Sequence, residues 1–130
     1  MLITGATGFI GSHLAERLVE EGARVCVFVR DPDRLRPTLR DRVKIIQSDL
    51  QQPDRFDLAV KDCEIIFHVA GWLGSPNSRT AAYAIGVDAT THLALAARSA
   101  GARRFIYTSS IAVYGPVKDG VVDETQVQRP

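Results

Sequence analysis

Eight residues near the start of the chain, Thr4-Gly5-Ala6-Thr7-Gly8-Phe9-Ile10-Gly11, constrain its fold more than any other segment. They follow a short apolar run, Met1 to Thr4, that reads as a buried strand. They precede Ile10, Leu14 and Leu18, spaced as one face of a helix, with Gly22 at the position of a helix C′ residue. A strand, a glycine turn and a helix make the setting in which a glycine-rich loop binds a dinucleotide. Gly5 suits a tight turn closed to other residues, and Gly8 lets the main chain approach a pyrophosphate without a Cβ in the way. Gly11 is expected to let helix and strand pack closely, while the helix N-terminus meets the phosphate charge. The spacing is G-x-x-G-x-x-G, not the generic G-x-G-x-x-G. A P-loop is excluded, because Ser12 and His13 follow the glycines where that motif needs Lys-Ser or Lys-Thr.

The remaining text alternates. Val25 to Val29 reads as a strand covered on both faces. Asp31, Pro32 and Asp33 open a short basic helix, with Arg34, Arg36 and Arg40 expected on its solvated side. Val43 to Gln47 is a third strand, Pro53 to Val60 a short helix and Glu64 to Val69 a fourth strand. Asn77 to Ala100 is a long helical segment ended by Gly101, and Arg104 to Thr108 is a fifth strand. Such alternation predicts an α/β fold: a doubly wound parallel sheet of about five strands in the order 3-2-1-4-5, joined by right-handed crossovers. At 130 residues the chain is expected to form one domain, residues 1–130.

Composition narrows the class further. With 45% apolar and 24% charged residues, the composition argues against disorder, and a net charge of +1 gives no reason to expect a nucleic-acid partner. No apolar run has the length of a membrane span, and no signal peptide precedes the first strand, so a cytoplasmic protein is expected. Cys26 and Cys63 match neither a redox pair nor a zinc site and read as reduced, packed thiols; no metal is expected.

The glycine string, together with Tyr107-Thr108-Ser109-Ser110-Ile111-Ala112-Val113-Tyr114-Gly115, resembles the extended short-chain dehydrogenase/reductase family, the NAD-dependent epimerase/dehydratase proteins. The resemblance spans nearly the whole chain and implies a Rossmann nucleotide-binding portion. By it, Gly5, Thr7, Gly8, Phe9, Ile10 and Gly11 belong to the cofactor loop. Asp49 and Leu50 are the pair beside the adenine, Val69, Ala70 and Gly71 the small residues beside the cofactor, and Thr108 a further cofactor contact. His68 is read as a satisfied core histidine with no part in catalysis.

Two cofactors compete. An acid about 20 residues beyond the glycines holds the ribose of NAD, and Asp31 has that spacing; an arginine accommodates the 2′-phosphate of NADP. Arg30 directly follows the second strand, and Val-Phe-Val-Arg-Asp-Pro resembles the reductases that use NADPH. NADP is therefore favoured over NAD.

The resemblance also implies hydride transfer on a nucleotide sugar or another carbonyl or carbinol substrate, with Ser110 hydrogen-bonding the substrate oxygen. The family's Tyr-x-x-x-Lys pair lies on a helix, and Tyr114 with Lys118 is not that pair, because Gly115 and Pro116 oppose a helix there. Asp123-Glu124-Thr125 and Arg129-Pro130 resemble the loop that precedes it. The chain therefore reads as the cofactor part of a longer enzyme, with the substrate-binding part absent and the piece by itself inactive. The family's asparagine is replaced by Gly86, implying either a kink or a rearranged proton relay. A non-catalytic NAD(P)-sensing module and a remnant assembling through its sheet edge stay open as alternatives, as does a homodimer.

Overall fold

The computed structural model describes residues 1–72, 74, 78–116, 120–125 and 127. Among these residues five strands form one parallel sheet: β1 (Leu2–Thr4), β2 (Cys26–Val29), β3 (Lys44–Gln47), β4 (Ile65–His68) and β5 (Arg104–Tyr107). Their order is β3-β2-β1-β4-β5, as expected from the alternation. Although β1 has three residues, it is central, pairing Leu2 with Cys26 on one side and with Ile66 on the other.

Side chains alternate across this sheet as its period of two requires. Leu2, Phe28, Ile46 and Ile66 point into one layer with Phe56 and Leu93. Ile3, Val27 and Val29 point into the other with Ala15, Leu35 and Leu39. Each such side chain, when fully buried, contributes about 1.5–3 kcal/mol by its removal from water. Cys26 and Cys63 are free, buried thiols of the first layer. Burial raises the Cys26 thiol to about 11, which keeps it protonated and unreactive near neutral pH.

Helix α1 (Phe9–Glu20) covers one face, and its end is set by Gly22 at φ +79°. There the Gly22 N–H donates to the Val19 carbonyl and the Ala23 N–H to that of Leu18, closing the helix as a Schellman cap. The basic segment departs from expectation. Pro37 divides it into a 3-10 turn (Pro32–Arg34) and a single turn of helix, α2 (Pro37–Arg40). Nor does Arg36 project freely into solvent: its guanidinium pairs with Glu16 on α1, whose other carboxylate oxygen accepts from the Thr38 hydroxyl at 2.6 Å. Thr38 and Arg36 together hold the Glu16 carboxyl below its usual range.

A 3-10 turn (Pro53–Arg55) leads into α3 (Phe56–Val60), so the short helix expected over this stretch is of mixed kind. The long helical segment is also composite. It comprises α4 (Arg79–Tyr83), a π-helical turn (Ala84–Asp88) and α5 (Ala89–Ser99). Its expected start at Asn77 lies outside the described residues. No helix among those described is long and apolar enough to cross a membrane.

Candidate functional site

The carboxyl ends of β1, β2 and β4 open into a cavity of about 530 Å³. Strand β1 delivers Gly5 to its floor at φ +76°, where a Cβ would stand 2.7 Å from the Ala70 amide nitrogen. The Gly8 N–H donates to the Gly5 carbonyl at 2.9 Å and closes the turn. A Cβ on Gly11 would stand 2.2 Å from that same carbonyl oxygen. Gly11 thus makes room for the loop itself, where strand contact was expected.

The first bond from the cap residue Gly8 into α1 runs to the Ser12 N–H at 3.0 Å, and no side chain caps the helix. The N–H groups of Phe9, Ile10 and Gly11 therefore precede the helical ladder, at the positive end of the helix dipole. Such an end, bordered by a loop without side-chain bulk, attracts an anion with oxygen acceptors.

Twelve residues singled out by sequence meet in the walls of this cavity: Gly5, Thr7, Gly8, Phe9, Ile10, Gly11, Arg30, Asp49, Leu50, Val69, Ala70 and Gly71. Thr108 and Ser110 do not line it. The Thr108 N–H extends the sheet by donating to the His68 carbonyl at 3.0 Å. The Ser110 side-chain oxygen accepts from the Ala112 N–H at 3.2 Å, capping the 3-10 turn Ile111–Tyr114. That turn ends at Gly115 with φ +68°, so no helix continues from Tyr114; Lys118 and Arg129-Pro130 lie outside the described residues.

The charges along the wall are unequal. Arg30 is exposed and faces Asp49 across 3.8 Å. Arg34, read from the sequence only as part of a solvated face, also lines the cavity from the 3-10 turn that follows β2. Asp31 does not line it; its carboxylate accepts from the Asp33 N–H at 3.1 Å and caps that turn. Trp72, Gly74 and Ile85 also line the cavity. The Trp72 ring occupies the space that a Cβ on Gly74 would need, at 2.1 Å.

The strand order, the two helical layers and the glycine turn at the end of β1 together define a nucleotide-binding fold of the Rossmann type. The chain belongs to the NAD-dependent epimerase/dehydratase family, whose model matches residues 1–130. It is 40% identical over 115 residues to a ceramide reductase of Caulobacter vibrioides, covering 88% of this chain and 35% of that protein. It is 32% identical over 129 residues to a putative dihydroflavonol 4-reductase of Synechocystis, covering 98% of this chain and 37% of that one. Among solved structures, MoeE5 in complex with UDP-glucose and NAD superposes with a TM-score of 0.84 at 36% identity, over 99% of this chain and 42% of its own. The chain thus spans well under half the length of each of these proteins.

Proposed function

We propose that this cavity holds a nicotinamide dinucleotide, NADP(H) in preference to NAD(H), and that the chain is the cofactor-binding part of a carbonyl reductase or related epimerase/dehydratase. The observation that carries the reading is the cradle at Gly5 and Gly11, where a Cβ is excluded at 2.7 and 2.2 Å beside the open end of α1. Gly5, Thr7, Gly8, Phe9, Ile10 and Gly11 would hold the pyrophosphate, Asp49 and Leu50 the adenine end, and Val69, Ala70 and Gly71 the strand-end side. Arg30 and Arg34 supply two guanidinium groups for a 2′-phosphate, while the competing carboxylate of Asp31 is engaged as a cap. Their presence, and the likeness to reductases, favours reduction of a carbonyl over epimerisation of a nucleotide sugar.

When bound, the cofactor would supply a hydride to a carbonyl carbon or, in its oxidised form, take one from a carbinol carbon. Ser110 would donate a hydrogen bond from its hydroxyl to the substrate oxygen while its oxygen still accepts from the Ala112 N–H. Tyr114 does not serve as the helical acid/base, since its turn ends at Gly115. The 130 residues by themselves therefore bind dinucleotide without turnover. The test is loss of reduced-nicotinamide absorbance on adding a panel of aldehydes and ketones to the full-length protein and to residues 1–130. Turnover by the first and none by the second is expected. Turnover by residues 1–130 would overturn the assignment of the acid/base to another segment.

A second reading, a dinucleotide-sensing module, is favoured by Gly86, which offers no side chain where the resemblance places asparagine. It predicts binding without turnover in the full-length protein as well.

A further inference from the structure

His68 is fully buried, yet both its ring nitrogens meet polar side chains. The Thr4 hydroxyl lies 2.7 Å from Nδ1 and the Thr90 hydroxyl 2.9 Å from Nε2. The outer bonds of this chain fix where each proton is. Thr90 Oγ1 donates its only proton to the Gly86 carbonyl at 2.9 Å, so it accepts from His68, and Nε2 carries the ring proton. Nδ1 then offers a lone pair to the hydroxyl of Thr4, whose oxygen accepts from the Ala70 N–H at 3.2 Å. The ring is the neutral Nε2–H tautomer, and burial supports that state by lowering its pKa to about 4.

Both ends of the chain reach the cavity. Ala70 lines it, and its amide is the group that a Cβ on Gly5 would strike. Gly86 lies in the π turn beside Ile85, which lines the cavity. A π turn departs from the helical ladder, and such turns recur at functional sites. Here the Thr90 hydroxyl satisfies a carbonyl of that turn and connects it to the ring.

We propose that His68 is a positioning residue for the cofactor cavity: through Thr4 and Thr90 it holds the Ala70 peptide and the π turn at Gly86 in one fixed relation. Loosening the Gly86 end therefore weakens dinucleotide binding at the Gly5 end. The inference rests on reading the cavity as the dinucleotide site. Thr90 does not line the cavity, so it is the place to break the chain of hydrogen bonds without touching a ligand.

The test is titration of NADPH and NADH against the fluorescence of Trp72, with the thermal midpoint measured beside it and amide exchange followed at Ala70. Thr90→Val keeps the side-chain shape and removes the hydroxyl; Thr90→Ser keeps the hydroxyl. Thr90→Val is expected to raise the NADPH Kd about threefold to tenfold and to speed Ala70 exchange, with Thr90→Ser near the original values. In a His68→Leu background, Thr90→Val should add nothing further. A Thr90→Val protein with a lower thermal midpoint but unchanged Kd and Ala70 exchange shows a purely structural role and overturns the proposal. Should the unaltered protein bind neither dinucleotide, the reading of the cavity falls first, and this proposal with it.

Discussion

The carbonyl oxygen of Gly5 occupies the place where Gly11 would carry a Cβ, 2.2 Å from that position. Backbone lies on both sides of the clash, so neither residue can yield by turning a side chain. Gly11→Ala is expected to cost about 1–3 kcal/mol of stability. It should also weaken dinucleotide binding at least about tenfold, because displacing Gly5 moves the loop that faces the ligand. Urea denaturation and a cofactor titration measure the two effects separately. A substitution silent in both would remove the cradle argument.

Arg30 and Arg34 both line the cavity, while Asp31 caps its own turn. Replacing either arginine by alanine removes a charge-assisted hydrogen bond to a 2′-phosphate, worth about 1.5–3 kcal/mol. The NADPH Kd should therefore rise about tenfold or more, with the NADH Kd changed less than about twofold. Both arginines are exposed, so the difference should shrink as salt is added. Equal losses for the two cofactors would show that the arginines do not read the phosphate.

Burial of His68 imposes a pH dependence on stability. Its pKa in the folded protein is lowered to about 4, below the ordinary histidine value of about 6.5 in the unfolded chain. Between these values the unfolded chain binds the additional proton, so stability falls as pH drops through this window and is fully present above it. The loss approaches about 3 kcal/mol at pH 4. His68→Gln should flatten that acid limb in urea melts taken from pH 7 to pH 4, and an unchanged limb would assign it to other groups.

Gly86 is not held by lack of space, since a Cβ there would meet nothing within 4 Å. Its φ is not in the left-handed region, and glycine in a helical segment costs about 1 kcal/mol relative to alanine. Gly86→Ala should therefore raise stability by up to about 1 kcal/mol, and Gly86→Asn should fold normally. A fall in the thermal midpoint for both would show that the π turn itself requires glycine.

The sheet order and the glycine loop were legible in the sequence because both depend on local pattern: strand and helix periods alternate, and Gly5, Gly8 and Gly11 lie within one turn and its helix. The cavity residues at Asp49, Leu50 and 69–71 were legible through resemblance, since nothing in their spacing joins them to Gly5. Arg34 was not, because the sequence reads as one short basic helix with a solvated face, while the folded segment is two separate turns with Arg34 on the cavity. The π turn over residues 84–88 was not legible, since it depends on the hydrogen-bond ladder of the whole segment, which a single glycine does not disclose. The His68 chain was half legible. A satisfied core histidine was expected, whereas its partners, 64 residues away at Thr4 and 22 away at Thr90, meet only when β1, β4 and α5 pack together.

Trp72, the sole tryptophan of the chain, lines the cavity and reports directly on its occupancy. Titrating NADPH and NADH against its fluorescence is the most direct test of the dinucleotide assignment. The account predicts saturable changes with both, and an NADPH Kd about tenfold or more below that of NADH, from the two arginines on the wall. No change with either cofactor up to about 1 mM would contradict the cofactor site, and NADH binding as tightly as NADPH would contradict the role given to Arg30 and Arg34.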